Sequence, residues 1–289
     1  MGEFFEALLA HGFLQNAVLA GILASVACGI VGTYVVVKRI GFLAGGIAHA
    51  VLGGMGVAYY YGRDPVSGAL AAALIAAVVI GWIHLRWNQQ EDTLIGAIWA
   101  TGMAIGIIFI SRTPGYTADL MSYLFGNILM VPRGELLFMA GLDLLIILVV
   151  LLFYKQFLAI TFDEEYTRLR GVPVDFVYLL LLCMVAVTVV LLIQVVGLIL
   201  VIALLVLPAA VAAQYVGSVG RIMVLAAFLG VVFTAGGLSL SYGPDLPAGA
   251  TIILLAGGVY MVSTLGTGLR RKLRVHRGSA RSEPDLGEG

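Results

Sequence analysis

The chain has 289 residues, of which 61% are hydrophobic and only 11% charged, with 16 basic and 16 acidic side chains that leave no formal net charge. Soluble domains carry roughly 25% charged residues, and a chain of this length has too small an interior to hide so much apolar surface from water. The composition excludes an ordinary soluble enzyme or nucleic-acid module and makes lipid the solvent: the chain reads as an all-α, polytopic transmembrane helical bundle.

A run of about 18 or more apolar, uncharged residues is long enough to cross a hydrocarbon core about 30 Å thick. In chain order such runs are Ala17–Val37, Gly41–Tyr61, Val66–His84, Leu94–Ile110, Leu136–Phe153, Phe176–Val195, Leu198–Val216, Ile222–Leu240 and Ala248–Leu269. The sixth and seventh form one stretch whose strongly polar side chains are Gln194, at its middle, and Gln214, at its end. As a single helix it would be about 60 Å long, two membrane thicknesses, so the chain must turn back near Gln194–Gly197. Residues 1–16 and 113–131 leave the count open between eight and nine spans. Glu3 and Glu6 precede the first run where a removable signal would carry basic residues, so that run reads as retained. The connections are too short for a separate soluble domain. Residues 1–269 therefore read as one membrane domain, followed by a tail, 270–289, that is first basic and then polar and disordered.

Basic residues follow alternate runs: Lys38 and Arg39, then Arg86, then Lys155, Arg168 and Arg170, then Arg221, and finally Arg270, Arg271, Lys272, Arg274 and Arg277. The positive-inside rule then puts the N-terminus outside and the C-terminus in the cytoplasm of a multi-pass protein of the cell membrane. Beside a span the tail reads as an orientation anchor rather than a nucleic-acid patch. Cys28 and Cys183 sit in mid-span and imply no disulfide framework.

Two connecting segments carry more information than a plain loop. Thr113–Val131 is apolar enough for a re-entrant or interfacial helix. Residues 161–173, TFDEEYTRLRGVP, read as a short capped helix: Asp163 as N-cap, acids in the first turn, Arg168 and Arg170 in the last, Gly171 as stop, and Pro173 in the first turn of the next span. Barely two turns of helix between spans are poorly stable alone, so this one is expected to dock onto something.

Ionisable groups deep in a span suggest function by default, and two qualify. His49 lies about 12 Å from the start of the second run, and Asp143 a similar distance from the start of the fifth. Helix tilt would bring them level near the midplane. Gly45, Gly53 and Gly56 share the face of His49 at i−4, i+4 and i+7, which either admits a neighbouring backbone or leaves room for an ion. Imidazole with a carboxylate suits a divalent metal; the alternative for each residue is a hydrogen bond across a helix interface. The chain has no G-x-x-x-x-G-K-[ST], H-E-x-x-H or G-x-S-x-G motif, so it neither hydrolyses ATP in the P-loop manner nor shows a catalytic constellation.

At this point four segments together resemble the ABC-3 family of metal permeases. GFLAGGIAHAVLGG (41–54) is similar to its second-span motif, VVGLILVIALLVLPAAVAA (195–213) to its V-G-x-L-L-V-x-A-L-L-x-x-P-A-A-x-A stretch, LSLSYGPDLPAGATIIL (238–254) to its outer hairpin, and FDEEYTRLRGVP (162–173) to its coupling helix. The resemblance implies the permease subunit of an ATP-binding-cassette importer that moves Zn²⁺ or Mn²⁺ as substrate, with no tightly bound cofactor. It implies a homodimer served by a separate ATPase and an extracytoplasmic metal-binding protein. Asp163, Glu165, Arg168 and Gly171 then belong to a helix that couples to the ATPase, with Thr167 where the family usually has alanine. His49, Asp143 and Asp245 are the candidates for the metal pathway, Asp245 serving alternatively to cap the ninth run. Pro208 matches an in-span proline at which a kinked helix would gate. The family's acid four residues before the histidine is Gly45 here, which leaves a metal chelate or a different metal open. An ATP-independent carrier or channel is the alternative; it calls for a denser row of intramembrane acids and histidines and gives no reason for the docking helix.

Overall fold

The computed structural model describes residues 2–86, 91–113, 126, 128–244 and 246–279. Among the described residues ten α-helices follow one another: α1 Gly2–Ala10, α2 Gly12–Val37, α3 Gly41–Tyr60, α4 Pro65–Arg86, α5 Glu91–Ser111, α6 Arg133–Phe162, α7 Glu164–Leu169, α8 Val174–Tyr215, α9 Val219–Tyr242 and α10 Ala248–Ser279. Among the described residues eight helical segments are long and apolar enough to cross a membrane, and a shorter apolar helix, Val201–Tyr215, takes the place of the seventh run. The expected segment 113–131 lies mostly outside the described residues; its visible end is a 3₁₀ turn at Ile128–Met130. Helix α10 runs on through the basic stretch to Ser279.

Helix α8 contains the expected reversal. Gly197 has φ 74° and ψ 167°, a backbone region that is essentially glycine-only. The neighbours on α2 establish how far the chain turns. Lys38 Nζ lies 5.1 Å from the centre of the Tyr178 ring, while Gly32 packs against the backbone carbonyl of Leu205. Six residues of α2 rise about 9 Å, whereas 27 residues of unbroken helix from 178 to 205 would rise about 40 Å. The second limb therefore returns beside the first. Pro208 sits in this limb with helical backbone around it, so the break lies at Gly197 and not at the proline.

Close approach between glycines organises the rest, as expected where lipid supplies no hydrophobic drive between helices. Helices α2 and α9 run antiparallel, with Gly21 against Thr234, Ser25 against Gly230 and Gly29 against Ala227. Helices α3 and α5 run parallel, with Gly53 on Gly102 and Gly56 on Gly106. Gly54 and Gly68 join α3 to α4 in the same manner. The buried hydroxyls of Ser25, Thr33 and Thr234 each donate to the carbonyl four residues earlier, at 2.6, 2.6 and 3.0 Å, which satisfies them without a cross-helix partner.

Candidate functional site

His49 lies in mid-α3, and its ring stacks on the indole of Trp99 in α5 with centroids 4.0 Å apart and planes 6° apart. Phe42 lies one helical turn and more below, 6.1 Å from the same indole. Trp99 Nε1 donates to Met103 Sδ at 3.1 Å, which holds the indole in place. The imidazole Nδ1 is buried and makes no hydrogen bond among the described residues. The parallel α3–α5 packing creates this stack, because equal rises on the two helices bring 49 and 99 to the same height, just as they do 53 and 102.

The glycine stripe divides its work. Gly53 and Gly56 serve the backbone contact with α5, whereas Gly45 is looser: a Cβ there would meet only the Ile202 Cδ1 atom of α8 at 3.6 Å, an ordinary contact. The position of the resemblance's missing acid is therefore sterically open.

Asp143 is 4% exposed and neither carboxylate oxygen has a hydrogen-bond partner among the described residues. It faces α2, with Cys28 as its electrostatic neighbour, while His49 faces α5. Helix α6 packs on α2 and α8, and α3 packs on α4, α5 and α8. The side chains in contact with the two groups thus come from different helices, Cys28 of α2 for Asp143 and Trp99 of α5 for His49. Among the described residues no three His, Cys, Asp or Glu side chains come together as a metal cage. Asp245 lies outside the described residues.

The coupling-helix segment folds as its sequence dictates. Asp163 is the N-cap, and its Oδ1 accepts the Tyr166 N–H at 2.9 Å. Gly171 takes φ +78° beyond the last turn, with its N–H on the Arg168 carbonyl at 3.0 Å and that of Val172 on the Thr167 carbonyl at 3.4 Å, a glycine-terminated helix end. Pro173 stands as N-cap of α8, one residue before its expected place. Arg168 pairs with Asp175 at 2.6 Å. Glu165 and Leu169 are exposed, Leu169 to 87%; an apolar residue this open, beside exposed Tyr166 and Phe162, presents a surface suited to a protein partner. Helix α6 reaches α7 through a bend at Phe153 (φ −108°, ψ 15°), the residue at which the fifth apolar run ends.

One element of the site escaped the sequence reading. Glu164, passed over beside Asp163 and Glu165, accepts from Lys38 at the end of α2 and lies 3.9 Å from Nε2 of His84 in α4. Lys38 also donates to the Ile160 carbonyl at 2.8 Å, and both partners of Glu164 rest on the Tyr178 ring, His84 stacked at 4.6 Å. Contact with His84 and then with Lys38 holds the Glu164 carboxyl down at about 2, against the desolvation that pushes it up. The pairing spans 126 residues, and no local spacing signals it.

A multi-span helical bundle with a half-buried histidine beside a glycine-packed helix pair, and a capped docking helix on one end, is the membrane subunit of a transport system. The ABC 3 transport family model matches residues 10–267, and the chain belongs to that family. It is 52% identical over 263 residues to an uncharacterized membrane protein of Synechocystis, covering 91% of this chain and 94% of that one. It is 33% identical over 260 residues to the manganese transport system membrane protein MntC of Halalkalibacterium halodurans, covering 90% and 89%. Among solved structures, PsaBC from Streptococcus pneumoniae in complex with Fab superposes with a TM-score of 0.82 at 33% identity, covering 91% of this chain and 94% of that one.

Proposed function

We propose that the chain is the permease of an ATP-binding-cassette importer for a divalent metal, Mn²⁺ before Zn²⁺, that works as a homodimer with a separate ATPase and an extracytoplasmic metal-binding protein. The observation that carries the coupling half of this reading is α7: a helix of six residues, capped at both ends, that turns Glu165 and Leu169 outward. The name of the Halalkalibacterium relative favours manganese. Its chemistry agrees, since a lone imidazole with water completing the shell binds Mn²⁺ weakly, and a pathway must release what it binds.

In this reading the N-terminus is outside and the C-terminus cytoplasmic, because Lys38, the end of α4 and α7 meet at one end of the bundle. Metal delivered from outside passes His49, whose orphaned Nδ1 supplies a lone pair in mid-span. ATP-driven closure of the paired ATPases moves α7, and the bundle alternates its access. The test is uptake by proteoliposomes holding the permease, its ATPase and its binding protein, comparing wild type with His49→Ala. ATP-dependent Mn²⁺ or Zn²⁺ accumulation that the variant loses supports both function and site. Accumulation unchanged by the variant removes His49 from the pathway, and no accumulation of either metal refutes the substrate class.

A further inference from the structure

Adjacent acids in α7 face opposite ways. Glu165 is exposed on the outer side. Glu164 turns inward and touches both the end of α2, through Lys38, and α4, through His84. Lys38 is the C-cap of α2, and α3, which carries His49, begins at Gly41. The Lys38 ammonium is nearly closed off, its side chain 8% exposed against 30% for Glu164, and it adds the Ile160 carbonyl at 2.8 Å. Tyr178 of α8 floors the cluster beneath Lys38 and the His84 ring. Four membrane helices, α2, α4, α6 and α8, thus converge on the first residue of α7.

The covalent chain ties α7 only to α6 and α8. Apolar packing resists a push but little resists a pull, whereas a part-buried ion pair resists separation, because parting the charges leaves each uncompensated in a poorly solvated place. We propose that Glu164 is the positioning residue that fastens the coupling helix to α2 and α4, so that its inward and outward strokes both reach the helices framing His49. This rests on the reading that α7 docks on the ATPase, and it assigns Glu164 to transmission and Glu165 to the docking face.

The experiment is co-reconstitution of the permease with its ATPase and binding protein, measuring ATPase co-purification, ATP hydrolysis and uptake of Mn²⁺ or Zn²⁺, whichever the wild type accumulates. In Glu164→Gln, co-purification and hydrolysis stay within about twofold of wild type while ATP spent per metal ion rises about tenfold or more. Because Glu164→Gln strands the Lys38 charge, the double variant Lys38→Met with Glu164→Met serves as the stable counterpart: an apolar replacement of a buried ion pair is often neutral or stabilising. It is expected to fold and assemble yet remain uncoupled. A wild-type ratio of ATP to metal in either variant overturns the proposal, as does a loss of uptake and hydrolysis in strict proportion. Leu169→Cys in an otherwise wild-type complex, cross-linked to a cysteine on the ATPase, checks the docking reading separately. Absence of that cross-link with transport intact refutes docking itself and the linkage with it.

Discussion

Gly53→Ala probes whether the glycines of α3 exist for backbone contact. A Cβ at this position would lie 2.8 Å from the Gly102 carbonyl oxygen and 3.3 Å from its Cα, where ordinary contact begins at 3.4 Å. Both obstacles are backbone, so no side chain can swing aside, and α3 and α5 must separate by about 0.6 Å along a tightly packed face. Overpacking of this kind costs about 1–3 kcal/mol. The alanine recovers about 0.5–1 kcal/mol of helix preference, leaving a net destabilisation of up to about 2 kcal/mol. At about 2–4 °C per kcal/mol for a chain of this order, the melting midpoint in detergent should fall by several degrees. Gly257→Ala is the matched control: nothing lies within 4 Å of its Cβ, so the variant keeps the helix-preference gain and should melt at or above wild type. Equal midpoints for the two variants, or a higher one for Gly53→Ala, would refute the backbone-contact reasoning.

Three further outcomes are expected. Gly45→Asp places a carboxylate one turn before His49 in a space only Ile202 borders, and added ligand charge tightens metal binding; Mn²⁺ affinity, read by titration of the purified permease, should rise about tenfold, and unchanged affinity would exclude this face from the pathway. Glu164 is held at about 2 in the folded protein against an ordinary value of 4.5. Its stabilisation is therefore complete above about pH 4.5 and is lost as pH falls from there toward 2; melting midpoints over that window should drop more steeply for wild type than for Glu164→Gln, and parallel slopes would contradict the pairing. Gly197→Ala forces a side chain into φ +74°, ψ +167° at about 1–3 kcal/mol, and should lower both folded yield and uptake, whereas Pro208→Ala, inside regular helix, should leave the folded yield largely intact.

Membrane spans and helix ends were readable from the sequence because their causes are local. Apolar run length sets a crossing, and the 41-residue stretch had to turn back. Asp163 and Gly171 act on backbone groups within a few residues of themselves, so α7 follows from its own sequence. Contacts between helices obey other rules. Depth along a helix placed His49 and Asp143 near one level, but depth says nothing about azimuth, and α6 turns Asp143 toward Cys28 while α3 turns His49 toward Trp99. Lys38 was legible only as an orienting charge, since its partner lies 126 residues away. Trp99 carried a faint signal, seven residues before Gly106 on the face bearing the glycines of α5, that parallel packing alone made meaningful. In the reversal, the residue with non-helical backbone is Gly197, while Pro208 lies within helical φ/ψ, so the glycine supplies the break.

The glycine contacts also differ in kind, some set against backbone and others against the ends of side chains. Gly53, Gly54 and Gly56 weld α3 to α5 and α4 through carbonyls, and Gly29 and Gly32 weld α2 to α9 and to the returning limb of α8. On that limb, Gly41 and Gly45 of α3 meet only the ends of Val206 and Ile202, at 3.9 and 3.6 Å. Methyl groups on flexible stems yield where backbone does not. One turn from His49 the contact is therefore made of side-chain ends, whereas α3 meets α4 and α5 backbone to backbone.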